Sequence, residues 1–146
     1  MNKNLVTKVK KLREDAILPK YASSGDSGAD LFTPEAVVIR AGERKLVKTG
    51  IAIALPEGYE AQVRSKSGLA LKAGLMVLNS PGTVDEKYRG EVGVIIFNTD
   101  ENDYEFNAGD KIAQLVISPI SQSHFIEVDE LDETDRGQGG FGSTGK

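Results

Sequence analysis

The chain has 146 residues, 39% of them hydrophobic, which suits one domain with enough apolar surface for its own core. It contains no cysteine and one histidine, His124, which excludes disulfide scaffolds, thiol nucleophiles and cysteine-ligated zinc and leaves little for a histidine metal centre. A formal net charge of -4 repels a polyanion such as DNA, so nucleic acid is not an expected partner, although local basic residues could still hold a small phosphate ligand.

The N-terminal stretch MNKNLVTKVKKLRED alternates charge with single apolar residues and lacks a signal-peptide run. The longest apolar run, VGVIIF (92–97), falls far short of the roughly 20 residues that span a bilayer. A soluble, cytoplasmic protein without a membrane partner is expected. From residue 36 the dominant pattern is a period of two broken by Gly, Pro, Asn or Asp, as in an antiparallel sandwich or barrel. AVVIR (36–40) is one strand, and AGE turns it into RKLVKTG (44–50). IAIAL (51–55) alternates large and small residues, and PEG ends it. YEAQVRSK (59–66) sets Tyr59, Ala61 and Val63 on one face and Glu60, Gln62, Arg64 and Lys66 on the other. SGLALKAG (67–74) is the one helical segment, with Ser67 as N-cap and Gly74 as stop. LMVLN, EVGVIIFNT, DYEFN, KIAQLVISPI and FIEVDEL continue the strands, with NAGD (107–110) as a turn.

Three places carry more chemistry than structure requires. A helix N-terminus beside Arg64 and Lys66 makes a phosphate site by simple electrostatics, although Ser67 also fits an ordinary cap. NSPGTVDEKYRGE (79–91) reads residue by residue as a surface hairpin turned by Pro81 and Gly82. Together its residues suggest more: Asn79 has an amide for a base edge, Asp85 a carboxylate that could orient a water, and Tyr88 a ring for a sugar. The tail changes composition. EVDELDETD (127–135) holds six carboxylates, and residues 137–146 hold five glycines around a single large apolar residue, Phe141. Such a segment is expected to be mobile unless docked. It ends in Gly-x-x-x-x-Gly-Lys, a P-loop skeleton with no room for the helix that should follow. A solubilising tail explains the acidity. Arg136 and Phe141 among glycines fit a nucleotide lid instead, with an arginine for phosphate, a ring for a base and free amides for an anion.

Five segments in order, SGADLFTPE (27–35), RSKSGLA (64–70), NSPGTVDEKYRGE (79–91), GDKIAQLV (109–116) and RGQGGFGSTG (136–145), resemble the motifs of the trimeric dUTPases, the deoxyuridine triphosphate nucleotidohydrolases. The resemblance covers nearly the whole chain. It implies an all-β jelly-roll sandwich or barrel with one short helix, assembled as a homotrimer with shared active sites. Residues 1–130 would form the β domain, and residues 131–146 a flexible arm closing over a neighbouring subunit's site. The implied reaction is Mg²⁺-dependent hydrolysis of dUTP to dUMP and pyrophosphate by water attack on the α-phosphorus. That would clear dUTP from the nucleotide pool and supply dUMP for thymidylate synthesis.

By position, the resemblance makes Asp85 the general base and lines the phosphate path with Lys66, Ser67, Gly68 and Gln114. Asn79, Thr83 and Val84 would meet the uracil edge, and Tyr88 would pack on the deoxyribose and exclude a 2′-hydroxyl. From the arm, Phe141 would stack on uracil, with Arg136, Ser143 and Thr144 on the outer phosphates and Gly142 among the substrate contacts. Asp30 would reach Mg²⁺ through a water. Lys66 stands where the family usually has arginine, and Arg64 is the alternative phosphate contact. The related dCTP deaminases resemble the chain in part, but the glutamate that carries their chemistry corresponds here to Ile95, which cannot shuttle protons. A non-catalytic nucleotide-binding module would not need Asp85, and a capsid-type jelly roll would not need the lid.

Overall fold

The computed structural model describes residues 5–145. Lys146, the last residue of the P-loop skeleton, lies outside them. Ten strands and one helix follow in chain order: β1 (Lys8–Lys11), β2 (Ala29–Phe32), β3 (Val37–Ile39), β4 (Arg44–Ala54), β5 (Tyr59–Arg64), α1 (Ser67–Ala73), β6 (Leu75–Val77), β7 (Gly82–Val84), β8 (Glu91–Asn98), β9 (Tyr104–Phe106) and β10 (Lys111–Pro119). They form two four-stranded sheets, β1-β4-β8-β6 and β2-β10-β5-β7, and a two-stranded ladder, β3-β9. All the pairings are antiparallel. The expected all-β architecture with one short helix is the one this chain adopts.

The core lies between the sheets, and the period of two puts it there. In β8, Val92, Val94, Ile96 and Asn98 are buried while the alternate residues are half-buried. The three apolar ones meet Ala61 and Val63 of β5, Ile112, Ala113 and Leu115 of β10, and Ile39, Val47, Ile51 and Phe106 in one apolar cluster. Burying each large aliphatic side chain contributes about 1.5–3 kcal/mol.

Several local expectations change. RKLVKTG and IAIAL are a single strand, β4, whose register against β8 shifts between Lys48 and Ala52. Gly50 lies in that shift at φ +74°, a conformation that costs glycine little, and its N–H donates to Glu91 Oε2 at 2.8 Å. Both faces of the following Ile51–Ile53 stretch are buried, so the large and small alternation does not separate an inside from an outside. Helix α1 begins at Ser67, but its N-cap is Lys66 in extended conformation, without a side-chain cap bond. Ser67 is therefore the first helical residue. Gly74 ends the helix as expected, at φ +64° with its N–H on Ala70 O. The 79–91 segment is more than a hairpin between neighbouring strands: β6 and β8 pair in one sheet, while β7 between them crosses to pair with β5 in the other. β1 and β2 were not anticipated, because a four-residue strand inside a charged or turn-rich stretch carries too few alternations to register.

FIEVDEL forms no strand. Residues 120–145 contain no strand or helix, and Phe125 and Leu131 are 93% and 84% exposed. Its β propensity finds no ladder on either sheet of this chain. No helix among the described residues is long and apolar enough to cross a membrane.

The bend at Gly50 is a sharp test of this account of β4. A Cβ there would stand 2.7 Å from Arg13 Cγ, on a backbone at φ +74° that L side chains resist. Gly50→Ala is expected to lower stability by about 1–3 kcal/mol, read as a lower urea midpoint with an unchanged slope.

Candidate active site

One end of the β2-β10-β5 ladder gathers charge. The register sets Gln114 opposite Asp30 on one side and opposite Arg64 on the other. Asp30, only 5% exposed, receives Lys66 Nζ on Oδ1 at 2.5 Å and Lys111 Nζ on Oδ2 at 2.9 Å. Burial alone would raise the Asp30 pKa, but the hydrogen bonds and charges of the two lysines outweigh it and hold the carboxyl below its ordinary range. Gln114 Nε2 donates to Ser65 O at 2.8 Å, fastening β10 to the chain just before α1. Its side chain has room because position 28 is glycine: a Cβ there would fall 2.2 Å from Gln114 Oε1. Lys66, Lys111, Asp30, Gln114, Ser27 and Gly28 line a cleft of about 250 Å³. Two ammonium groups sharing one carboxylate keep N–H bonds for an anion. Arg64 does not line it; its Nε and Nη2 donate to Gln62 Oε1 at 3.0 and 2.6 Å.

A second cleft, about 200 Å³, has chemistry of a different kind. Asn79, Thr83 and Tyr88 rim it, and Val63, Val77, Val84 and Ile95 supply apolar wall. Tyr88 folds back so that its hydroxyl donates to Glu91 O at 2.9 Å. Gly90 allows this, since a Cβ there would collide with the Tyr88 ring. Amide and carbonyl edges over a hydrocarbon floor are what a flat heterocycle needs, and this volume admits a pyrimidine.

Asp85 follows β7 directly and belongs to neither cleft. It is exposed, opens the turn closed by Tyr88 N–H on Asp85 O at 3.1 Å, and lines a wide hollow with Glu57, Gly58, Glu86, Lys87, Ile120 and Gln122. Ser67 and Gly68 lie exposed in the first turn of α1. In the arm, Arg136, Phe141, Gly142, Ser143 and Thr144 are exposed, and the hydrogen bonds described for residues 134–145 stay within that segment: Arg136 Nε on Gly139 O at 2.9 Å, Ser143 N–H on Gly140 O at 3.0 Å. Phe141 takes φ +52°, unusual for a ring-bearing residue, and holds its side chain free of the body.

The dUTPase family model matches residues 14–145. The chain belongs to the dUTPase family. The deoxyuridine 5'-triphosphate nucleotidohydrolase of Hydrogenobaculum is 59% identical over 138 residues, covering 94% of this chain and 96% of that protein. Its namesake from Clostridioides difficile is 55% identical with the same coverage. Among solved structures, Staphylococcus bacteriophage 80alpha dUTPase with dUpNHpp superposes with a TM-score of 0.89 at 31% identity, over 97% of this chain and 99% of that one.

A single dUTPase chain thus brings Asp30, Lys66 and Gln114 into one cleft and Asn79, Thr83, Val84 and Tyr88 into another, but leaves Asp85 and the arm residues apart from both. Lys111 was missed. Its signal lay within GDKIAQLV, where Lys111 opens the strand that carries Gln114, yet only the pairing with β2 brings its ammonium to Asp30. No group of three or more His, Cys, Asp or Glu among the described residues could hold a metal ion. The donors fit an ion that arrives on phosphate oxygens and keeps its waters, with two carboxylates, Asp30 and Asp26, in the anion cleft.

A depressed carboxyl pKa has a defined pH signature. Asp30 contributes stability at pH above its ordinary value of 3.8, and that contribution is lost as pH falls through its lower folded value. Urea midpoints measured as pH is lowered from neutral are expected to fall in the native chain and to fall less steeply in Asp30→Asn, which starts from a lower neutral-pH midpoint because two lysines lose their carboxylate.

Proposed function

We propose that the chain hydrolyses dUTP to dUMP and pyrophosphate, at sites shared between the subunits of a homotrimer and dependent on Mg²⁺. The observation that carries this reading is the coexistence, in a dUTPase chain, of a lysine-bearing anion cleft and a pyrimidine-sized cleft. Triphosphate goes to Lys66 and Lys111, beside the exposed start of α1 at Ser67 and Gly68. Uracil goes to Asn79, Thr83 and Val84, whose polar groups would be left unpaired by the reversed edge of cytosine, at a cost of about 1–3 kcal/mol each. Ile95 in the wall of that cleft offers no proton, which argues against deamination.

Asp85 accepts the proton of the attacking water. The new bond forms between that oxygen and the α-phosphorus, and the bond from the α-phosphorus to the bridging oxygen breaks, releasing pyrophosphate. Lys66 and Lys111 offset the charge moving onto the leaving group, with Arg136, Ser143 and Thr144 of an arm meeting the outer phosphates while Phe141 covers the base. Asp30 would be the residue that holds Mg²⁺, through a water, and the ion would supply neutralisation of triphosphate charge. A solved dUTPase of S. aureus phage phi11, 30% identical, is described with a structural Mg(II) ion, which is consistent with a metal in this family.

Separation supports shared sites: Asp85 and the arm residues line neither cleft of their own chain, and Leu46, Met76 and Leu78 expose hydrocarbon on the β1-β4-β8-β6 sheet and the chain just beyond it, which a second copy would cover. Acting on a free nucleotide pool places the protein in the cytoplasm.

Pyrophosphate release from dUTP with Mg²⁺, compared with dCTP, dTTP and UTP, tests the reaction. Asp85→Asn is expected to bind dUpNHpp as the native chain does while losing turnover by roughly 10²–10⁴-fold, the usual worth of a general base. A truncation ending at Asp135 is expected to lose most activity with its fold intact, and full dUTP turnover in either variant contradicts the mechanism. Tyr88→Ala should raise UTP hydrolysis relative to dUTP, because the ring that leaves no room for a 2′-hydroxyl is gone. An unchanged ratio removes Tyr88 from sugar selection.

A further inference from the structure

Beside Asp85, the Glu86 carboxylate reaches across 28 positions of sequence: its Oε2 accepts the N–H of Gly58 at 2.8 Å in a partly buried contact. The other bonds of the 85–88 turn are local, with Tyr88 N–H on Asp85 O and Arg89 Nη1 on the carbonyls of Glu86 and Tyr88. Gly58 itself is well placed as an anchor. It takes φ +82° in the turn between β4 and β5, next to the strand against which β7 lies, with Ala61 opposite Val84. Its carbonyl accepts the N–H of Ile120 at 2.9 Å, and Ile120 is the first residue past β10, where the strandless stretch leading to the arm begins. One glycine therefore ties the Asp85 turn to the exit of β10.

We propose that Glu86 is a positioning residue that fixes the direction of the Asp85 carboxylate by fastening its turn to Gly58. The inference rests on the reading of Asp85 as the base. A carboxylate that must take a proton from one water works only within a narrow geometry, and losing the side-chain tie frees the Asp85–Glu86 end of the turn, while Tyr88, which rims the second cleft, keeps its own bond to Glu91 O. The Glu86 charge is not what matters; the acceptor atom and its reach are.

Three variants of the full-length protein separate these. Glu86→Ala removes the acceptor, Glu86→Asp keeps the charge but is one methylene short of Gly58, and Glu86→Gln keeps an oxygen at the right distance. Expected are kcat values for dUTP lowered roughly tenfold in the first two and restored to within about twofold of the native chain in the third. KM and dUpNHpp affinity should stay within about twofold in all three, because Tyr88 stays held by Glu91 O and the lysine cleft contains no residue of the turn. Native kcat in Glu86→Asp, a Glu86→Gln as impaired as Glu86→Ala, or affinity lost in step with turnover overturns the proposal. Asp85→Asn run alongside distinguishes the failures. If it keeps full turnover, the base assignment falls; if it is inactive while Glu86→Asp is normal, only the positioning role falls.

Discussion

A buried carboxylate governs the arrangement of this molecule. Asp30 sits inside a strand at 5% exposure, and an ionised group there costs several kcal/mol unless it is paired and hydrogen-bonded. Its two partners come from distant parts of the chain, Lys66 at the cap of α1 and Lys111 at the start of β10. Neutralising one charge therefore holds together three segments far apart in sequence. What results is a cleft with two ammonium groups at its surface and their counter-charge beneath. Such a pair of cations is preorganised: the lysines are already gathered and oriented before any anion arrives.

Glycine does the complementary work of letting side chains in. At Gly28 the missing Cβ makes room for Gln114, which could not otherwise reach the Ser65 carbonyl. Across the molecule, Gly90 lets the Tyr88 ring lie back over the main chain and aim its hydroxyl at Glu91. Neither needs a left-handed backbone. Their role is close approach, and both stand inside the motifs that resemble the dUTPases.

The path of the chain between β6 and β8 explains why so much chemistry is packed into thirteen residues, 79–91. A plain hairpin would stay within one sheet. Here β7 leaves to pair with β5 in the facing sheet, so the segment bridges the sandwich, and its Asn79, Gly82, Thr83, Val84 and Tyr88 line the second cleft. Asp85 follows β7 directly and lines a different hollow from the cleft that its own loop helps build. A chain arranged this way carries the two clefts and Asp85 on separate surfaces, the arrangement from which the proposal of sites shared between copies starts.

Alternation in residues such as Val92, Val94 and Ile96, and the stop at Gly74, made most strands and the helix legible, because side-chain direction in a strand and the left-handed cap are local properties. The five motifs made the family legible. Less visible was anything that depends on who the neighbours are: the fusion of two expected strands through the bend at Gly50, the failure of FIEVDEL to find a ladder, and Lys66 capping α1 in place of Ser67. Of the site, Asp30, Lys66 and Gln114 could be chosen from motif context, but their gathering on one carboxylate with Lys111 could not, since it follows from antiparallel register across β2, β10 and β5. The sequence by itself determined the all-β class, the short helix, the exposed acidic and glycine-rich end, and the chemical groups available. Tertiary structure alone decided which groups meet, because register and sheet exchange are set by pairing between segments many residues apart, and no local pattern encodes a partner's position.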